Sequence, residues 1–251
     1  MMNCIRPVLL GAVFMISLAT AIPARAQSCG DLPSAPELQN FLRAAATGQG
    51  INSELLGPAN LGPGGLFAGK LMWAAVVDRT GNLCAFETST TDRNQVWPGS
   101  QAIAKAKAFT ANAFSNDGLP LSTARLYTFV QPGHSLFGLN DSNPFGASSF
   151  APGIQGGIIT FGGGVPLYNA DGKIVGGLGV SGDTACADHE IAKRVRDLAQ
   201  LNPPGPHGPS PVVDDISYSA VDGPSVLTHP LCLNTIRNGV FVGDEKAATG
   251  Y

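Results

Sequence analysis

The chain has 251 residues, of which 44% are hydrophobic and only 13% are charged, with a formal net charge of −3. This charge gives no basic face for a nucleic-acid partner, and the apolar content excludes a disordered chain. The 32 glycines and 19 prolines indicate a globular protein with many loops.

The N-terminal residues 1–26 are typical of a secretory signal peptide. Arg6 precedes an apolar run from Val8 to Ala21, and an Ala-x-Ala cleavage pattern ends at Ala26. The alternative is a membrane anchor, which we disfavour because the run is shorter than the ~20 apolar residues that a spanning helix needs. We therefore expect a periplasmic or secreted protein with no membrane span after cleavage.

Helical and strand patterns alternate through the next part of the chain. Helices are predicted over 34–46, 100–114 and 184–201, where apolar residues recur at helical spacing behind a capping residue. Strands are predicted over 70–78, 82–88, 158–161, 165–168 and 173–180, with turns at glycine-containing segments between them. Between Gln131 and Gly153 lies a long irregular loop with four large apolar side chains, which we expect to pack against the protein.

The domain organisation follows from a change in composition after residue 201. Residues 27–201 are predicted to form one domain, and 202–251 form a Pro/Gly-rich extension that begins with a segment unable to form a helix. We expect this extension to wrap the domain and to be held by Cys232.

Four cysteines follow the predicted signal peptide: Cys29, Cys84, Cys186 and Cys232. An even number in an exported chain predicts two disulfides, with three possible pairings. We favour Cys84–Cys186 with Cys29–Cys232, because a helix packed on the sheet could join the first pair and the second would tie down both terminal extensions. The other pairings remain open. A metal site at Cys186 and His189 is disfavoured, because no second pair of ligands accompanies them.

Three stretches together carry a family resemblance. In chain order they are GSQAIAKAKAFTANAFS (99–115), FGGGVPLY (161–168) and GKIVGGLGVSGDTACADHEIAKR (172–194), and they follow the strand pair near 71–88. In this order they resemble the HbpS/GlcG-like family of haem-binding or haem-degrading proteins, over roughly residues 35–201. The resemblance implies an α/β (α+β) fold in which an antiparallel sheet of about five strands carries helices in a profilin-like α-β-α sandwich. It also implies a homo-oligomer.

Haem is the cofactor that this resemblance implies, and three residues are candidates to bind it. His134 lies in the long loop among Phe and Leu residues, where a neutral imidazole suits an axial position on haem iron. The alternative is a loop histidine that hydrogen-bonds the backbone. Lys107 and Thr110 lie on the helix that the resemblance links with haem, where a lysine could pair with a propionate. Alternatively, Lys107 could lie on a solvated helix face and Thr110 could fill the core.

The leading hypothesis is an exported haem-binding protein that takes part in haem sequestration or degradation. The alternative is a non-catalytic sensor or binding module for another small molecule, with its pocket between the 100–114 helix and the glycine hairpin. A hydrolase built on Ser181 is a third option, although Gly179-Val180-Ser181-Gly182-Asp183 lacks the final glycine of a nucleophile elbow.

Overall fold

The structure is a computed structural model that describes residues 29–141, 157–205 and 207–246. The predicted signal peptide and residues 142–153 of the 131–153 loop lie outside the described residues. The helices are α1 (Ala35–Thr47), α2 (Ser53–Leu56), α3 (Ser100–Phe114), α4 (Ala185–Leu198) and α5 (Ser219–Asp222). The strands are β1 (Trp73–Asp78), β2 (Leu83–Thr88), β3 (Gly164–Tyr168), β4 (Ile174–Ser181), β5 (Pro204–Gly205), β6 (Gly208–Pro209), β7 (Thr235–Arg237) and β8 (Val240–Gly243). Short 3₁₀ helices occupy Cys29–Asp31, Arg93–Gln95, Thr123–Leu126, Thr128–Val130 and Leu139–Asp141.

A four-stranded antiparallel sheet in the order β2-β1-β4-β3 forms the centre of the fold. The predicted mixed fold with an antiparallel sheet is confirmed, but the described part of this sheet has four strands. Residues 158–161, predicted as a further strand, do not form one, and two of their backbone groups bond to threonine side chains. Ile159 N donates to Thr110 Oγ1 at 3.0 Å, and Phe161 O accepts from Thr123 Oγ1 at 2.7 Å.

Alternation along β1 gives the sheet two buried faces, because successive strand residues point to opposite sides. Ala74 and Val76 join a core with the apolar side chains of α1 and α4, whereas Trp73, Ala75 and Val77 face α3. Helices therefore cover both faces of the sheet, giving an α-β-α sandwich. In the described part of the chain, no helix is both long enough and apolar enough to span a membrane.

Glycines in β4 allow α3 to lie directly on the sheet. A Cβ atom at Gly179 would lie 2.0 Å from the carbonyl oxygen of Ala104, and one at Gly177 would lie 2.2 Å from that of Ala108. Only glycine fits at such separations. The glycines of β4 therefore serve the close approach of a helix backbone to the sheet.

The C-terminal extension covers the face of α4 that points away from the sheet. Every side chain from Cys186 to Arg196 is consequently buried, including the charged ones. Glu190 and Arg194 are four residues apart, a spacing typical of a surface ion pair on a helix, but both are buried. Glu190 pairs with Lys193 at 2.6 Å, while Arg194 donates hydrogen bonds to backbone carbonyls of the α1 C-terminus and the following loop.

All four cysteines form disulfides, as predicted, but the favoured pairing was wrong. The bonds are Cys29–Cys84 and Cys186–Cys232. Cys84 lies on the edge strand β2, which is covered by α1, whereas α4 packs over β3 and β4 in the other half of the sheet. Cys84 therefore meets the N-terminal segment, and Cys186 meets the C-terminal extension.

Candidate functional site

A cleft of about 480 Å³ lies between the segment after α3 and the C-terminal extension. Its volume is in the range of small-molecule sites. The described residues that line it include Tyr127, His134, Pro224, Val226, His229 and Pro230. His134 is exposed there, so its imidazole is accessible to a ligand in the cleft.

His229 forms part of the cleft wall and is only 3% exposed. Its Nδ1 lies 2.7 Å from the carbonyl oxygen of Pro230, and its Nε2 accepts a hydrogen bond from Gly162 N at 3.4 Å. These partners place the proton on Nδ1. The ring packs against Tyr127 with 4.8 Å between centroids. His229 is therefore a fixed, neutral ring whose two nitrogens are both occupied.

The stability of the protein should fall on mild acidification because of His229. Burial lowers the pKa of His229 to about 4, whereas an unfolded histidine titrates at about 6.5, so the unfolded chain takes up the proton first. The stabilisation is complete above about pH 6.5 and is lost as the pH falls toward 4. From pH 7 to pH 5 we expect a loss of about 2 kcal/mol from this residue, measured by urea denaturation.

The His229→Gln variant should lose that part of the pH dependence, since glutamine does not titrate. Buried His189, whose pKa is also lowered by burial, should leave a residual slope of the same sign in both proteins. An imidazole proton resonance of folded His229 that titrates near pH 6.5 would contradict the prediction.

Lys107 is fully buried and holds α3, β4 and α4 together. Its Nζ donates to Asp188 Oδ2 at 2.7 Å and to the carbonyl oxygen of Val180 at 3.0 Å. Nζ also lies 4.7 Å from the centre of the Phe161 ring. Burial lowers the pKa of Lys107 and raises the pKa of Asp188 to about 6, and the attraction between the two groups offsets part of each shift.

Thr110 is also fully buried. Its hydroxyl group donates to the carbonyl oxygen of Ala106 at 2.7 Å and accepts from Ile159 N at 3.0 Å. Thr110 and Lys107 thus both contact the segment 157–164, whose Gly162 bonds to His229. Of the three candidate residues, only His134 lines the cleft, and the other two secure the segment that contacts its wall.

The pocket expected between α3 and the glycine hairpin is filled by packing. A Cβ atom at Gly163 would lie 2.7 Å from Lys107 Nζ, and one at Gly164 would lie 2.7 Å from the carbonyl oxygen of Lys107. Ser181, considered as a nucleophile, is buried at the end of β4, where it pairs with Trp73. These observations leave the His134 cleft as the candidate site.

Sequence reasoning missed Tyr127 and His229 as parts of the site. His229 lies about a hundred residues from both Tyr127 and His134, so no local spacing relates it to them, and Tyr127 belongs to no motif. One available signal was the position of His229, three residues before Cys232, since a disulfide-bonded residue belongs to an ordered segment.

The structure thus combines an α-β-α sandwich with a cleft whose volume is in the range of small-molecule sites and which exposes a histidine. Comparison with known proteins identifies the family. The chain belongs to the HbpS-like family, whose model, described as haem degrading protein HbpS-like, matches residues 67–197. The predicted resemblance is confirmed. The match runs from before β1 nearly to the end of α4, so it includes His134 and excludes His229.

Two curated relatives each match part of the chain. The chain is 37% identical over 103 residues to the corrinoid adenosyltransferase PduO of Salmonella typhimurium, a match that covers 41% of this chain and 25% of PduO. It is 32% identical over 123 residues to an uncharacterised 15.0 kDa protein of Citrobacter freundii, which covers 49% of this chain and 72% of that protein. The chain thus spans about a quarter of the length of PduO.

Three solved structures are similar. The Klebsiella pneumoniae protein ORFY is 24% identical, with a TM-score of 0.47 over 69% of this chain and 90% of that one. A PduOC:heme complex is 26% identical, with a TM-score of 0.45 over 68% and 93% of the two chains. A double mutant of HbpS from Streptomyces reticuli is 21% identical, with a TM-score of 0.43 over 76% and 97%.

Proposed function

We propose that this protein binds haem in the cleft, with the imidazole of His134 as an axial ligand. The observation that carries the proposal is the exposed His134 in a ligand-sized cleft, within a chain that belongs to a family described as haem degrading. Histidine is the most common kind of protein ligand to haem iron in globins and peroxidases.

The residues of the cleft suit a flat, apolar group. Pro224, Val226 and Pro230 supply apolar walls, and the packed rings of Tyr127 and His229 supply an aromatic surface. When bound, haem would supply an iron centre able to take ligands and carry redox chemistry. In this proposal His134 would hold the iron, and the apolar walls would exclude water from it.

Lys107 and Thr110 enter the proposal as positioning residues. The ammonium group of Lys107 is bonded to Asp188 and is not available to a propionate in this conformation. Both residues secure the segment 157–164, and His229 depends on this segment for one of its hydrogen bonds. They would therefore affect haem affinity through the shape of the wall.

Export and assembly complete the proposal. Residues 1–26 have the pattern of a signal peptide, and two disulfides suit an oxidising compartment, so we propose a periplasmic or secreted protein. We also propose that residues 27–201 form one domain, which the extension of residues 202–251 wraps. The protein would assemble as a homo-oligomer and take part in haem sequestration or degradation.

The test is a titration of the purified protein with hemin, followed by visible absorption. We expect a saturable, shifted Soret band that is lost in the His134→Ala variant. His207→Ala is the matched control, because His207 is exposed in the extension, away from the lining of the cleft, and it should bind like the unmodified protein. An unaltered Soret band in His134→Ala would remove His134 as the axial ligand.

A second candidate function is a binding module for a small molecule other than haem. It is favoured by the charge of the cleft, because the described residues that line it include no lysine or arginine to pair with propionates. A neutral, planar ligand would suit the same walls. Absence of any specific Soret band, with the protein folded and its disulfides intact, would favour this function over haem binding.

A further inference from the structure

Three potential metal ligands meet behind the cleft wall. Cys186 comes from the first turn of α4, and His229 and Cys232 come from the C-terminal extension. One ligand atom from each lies within 4.8 Å of the other two, and all three side chains are buried. In the described structure the two sulfurs are joined as a disulfide.

We propose that, once the Cys186–Cys232 bond is reduced, Cys186, Cys232 and His229 bind a thiophilic divalent cation such as Zn²⁺. Two thiolates and one imidazole form a ligand set that zinc adopts with a fourth position left open. This set favours zinc over the hard cations Mg²⁺ and Ca²⁺, which prefer oxygen ligands.

The surroundings of the three side chains support this role. Cys186 N donates a hydrogen bond to Cys232 Sγ at 3.2 Å, and such a bond would also stabilise a thiolate. The position of Cys186 at the N-terminus of a helix has the same effect on its own thiolate. Pro230 O and Gly162 N hold the imidazole of His229 in one orientation. With the metal on one ring nitrogen, the hydrogen bond of the other nitrogen would remain, in the manner of the outer-shell partner of a metal-binding histidine.

The chemical balance of the switch is simple. A dithiol reductant supplies two electrons and two protons to the disulfide, gives two cysteine thiols and is itself oxidised to a disulfide. Binding of the cation then releases the two thiol protons, and the metal replaces one of the two hydrogen bonds of the neutral imidazole. Oxidation of the thiols would expel the metal, so the site would be occupied only in the reduced protein.

The other disulfide offers a matched control. Cys29 and Cys84 also lie close to a possible ligand, Asp78. The Asp78 carboxylate, however, accepts four hydrogen bonds from Thr80 and Asn82 in the β1–β2 turn. A cation there would compete with several hydrogen bonds that hold this turn, whereas at His229 it would replace only one, so this group should bind a cation far more weakly.

The experiment uses Co²⁺ as a spectroscopic probe under anaerobic conditions. The protein is reduced with a phosphine, which becomes a phosphine oxide by taking oxygen from water, while the water supplies the two thiol protons. The Cys29→Ser/Cys84→Ser variant should show thiolate-to-cobalt absorption that added Zn²⁺ abolishes, whereas Cys186→Ser/Cys232→Ser should show none. His229→Ala in the first variant should weaken Co²⁺ binding by about tenfold or more, and oxidised protein should not bind. Absence of thiolate-to-cobalt absorption in reduced Cys29→Ser/Cys84→Ser, or equal absorption in the two double variants, would overturn the proposal.

If reduction unfolds the chain, circular dichroism can still test the proposal, because it measures refolding on addition of metal. Metal binding to such a site contributes to the free energy of folding, so Zn²⁺ should restore the native spectrum of reduced Cys29→Ser/Cys84→Ser. Failure of Zn²⁺ to restore it would also overturn the proposal. None of these measurements involves hemin, so their outcome is independent of the proposed haem function.

Discussion

Replacing Lys107 with methionine is expected to lower the free energy of unfolding by about 3–5 kcal/mol. The substitution removes the ammonium group that is bonded to Asp188 at 2.7 Å and leaves this carboxylate buried without its partner charge. Side-chain exposure of the pair is 0% and 2%, so water cannot replace the lost contact. Urea denaturation of the purified variant measures the change.

Lys105→Met provides the matched control on the same helix. Lys105 is only partly buried and its Nζ lies 4.4 Å from the centre of the Phe86 ring, a contact worth about 0.5–1 kcal/mol at an exposed site. Adding Asp188→Leu to Lys107→Met should recover much of the loss, because apolar replacement of both partners is often neutral. The prediction is wrong if Lys107→Met costs no more than Lys105→Met.

Replacing Asp214 with alanine should also cost about 3–5 kcal/mol, because Arg196 would remain buried and unpaired. The Asp214 carboxylate binds the Arg196 guanidinium through two hydrogen bonds of 2.6 and 2.9 Å, and both side chains are fully buried. Because this pair attaches the extension to α4, the variant should also be cleaved faster by protease within residues 202–246. Thermal denaturation and a proteolysis time course measure the two effects.

The matched control is Glu87→Ala, which removes the more exposed pair between Glu87 and Arg93. Such pairs contribute about 0–1 kcal/mol. Equal stability of the Asp214 and Glu87 variants would show that the extension is not held by its buried ion pair.

Local patterns were sufficient to predict most of the sandwich. Ser34 begins α1 in a capping box with Glu37, and Thr184 caps α4 through a hydrogen bond from Ala187 N. These signals depend on residues a few positions apart, and so do the β1–β2 hairpin and the glycine-bearing strand β4. The segment 158–161 has the composition of a strand, but its backbone is bonded by side chains from distant parts of the chain.

The environment of α4 could not be predicted from its own residues. Asp188, Glu190, Lys193 and Arg194 are typical of a solvated helix face, yet partners from α1, α3 and the C-terminal extension bury them. The cysteine pairing failed for the same reason, because it depends on which half of the sheet α4 covers. Likewise, His134 could be proposed as a ligand from its position in the loop, but only the fold places His229 in the opposite wall of the cleft.

The order of the disulfides along the chain has a consequence for biosynthesis. Each bond joins cysteines that are consecutive among the four that follow residue 26, and the two closed loops, with separations of 55 and 46 residues, follow one another without overlap. During N-to-C emergence from a ribosome or a translocation pore, the first pair can therefore oxidise before Cys186 has appeared. Correct pairing then needs no exchange of partners. Each closed loop lowers the entropy of its own part of the unfolded chain, which stabilises the folded protein by about 4 kcal/mol.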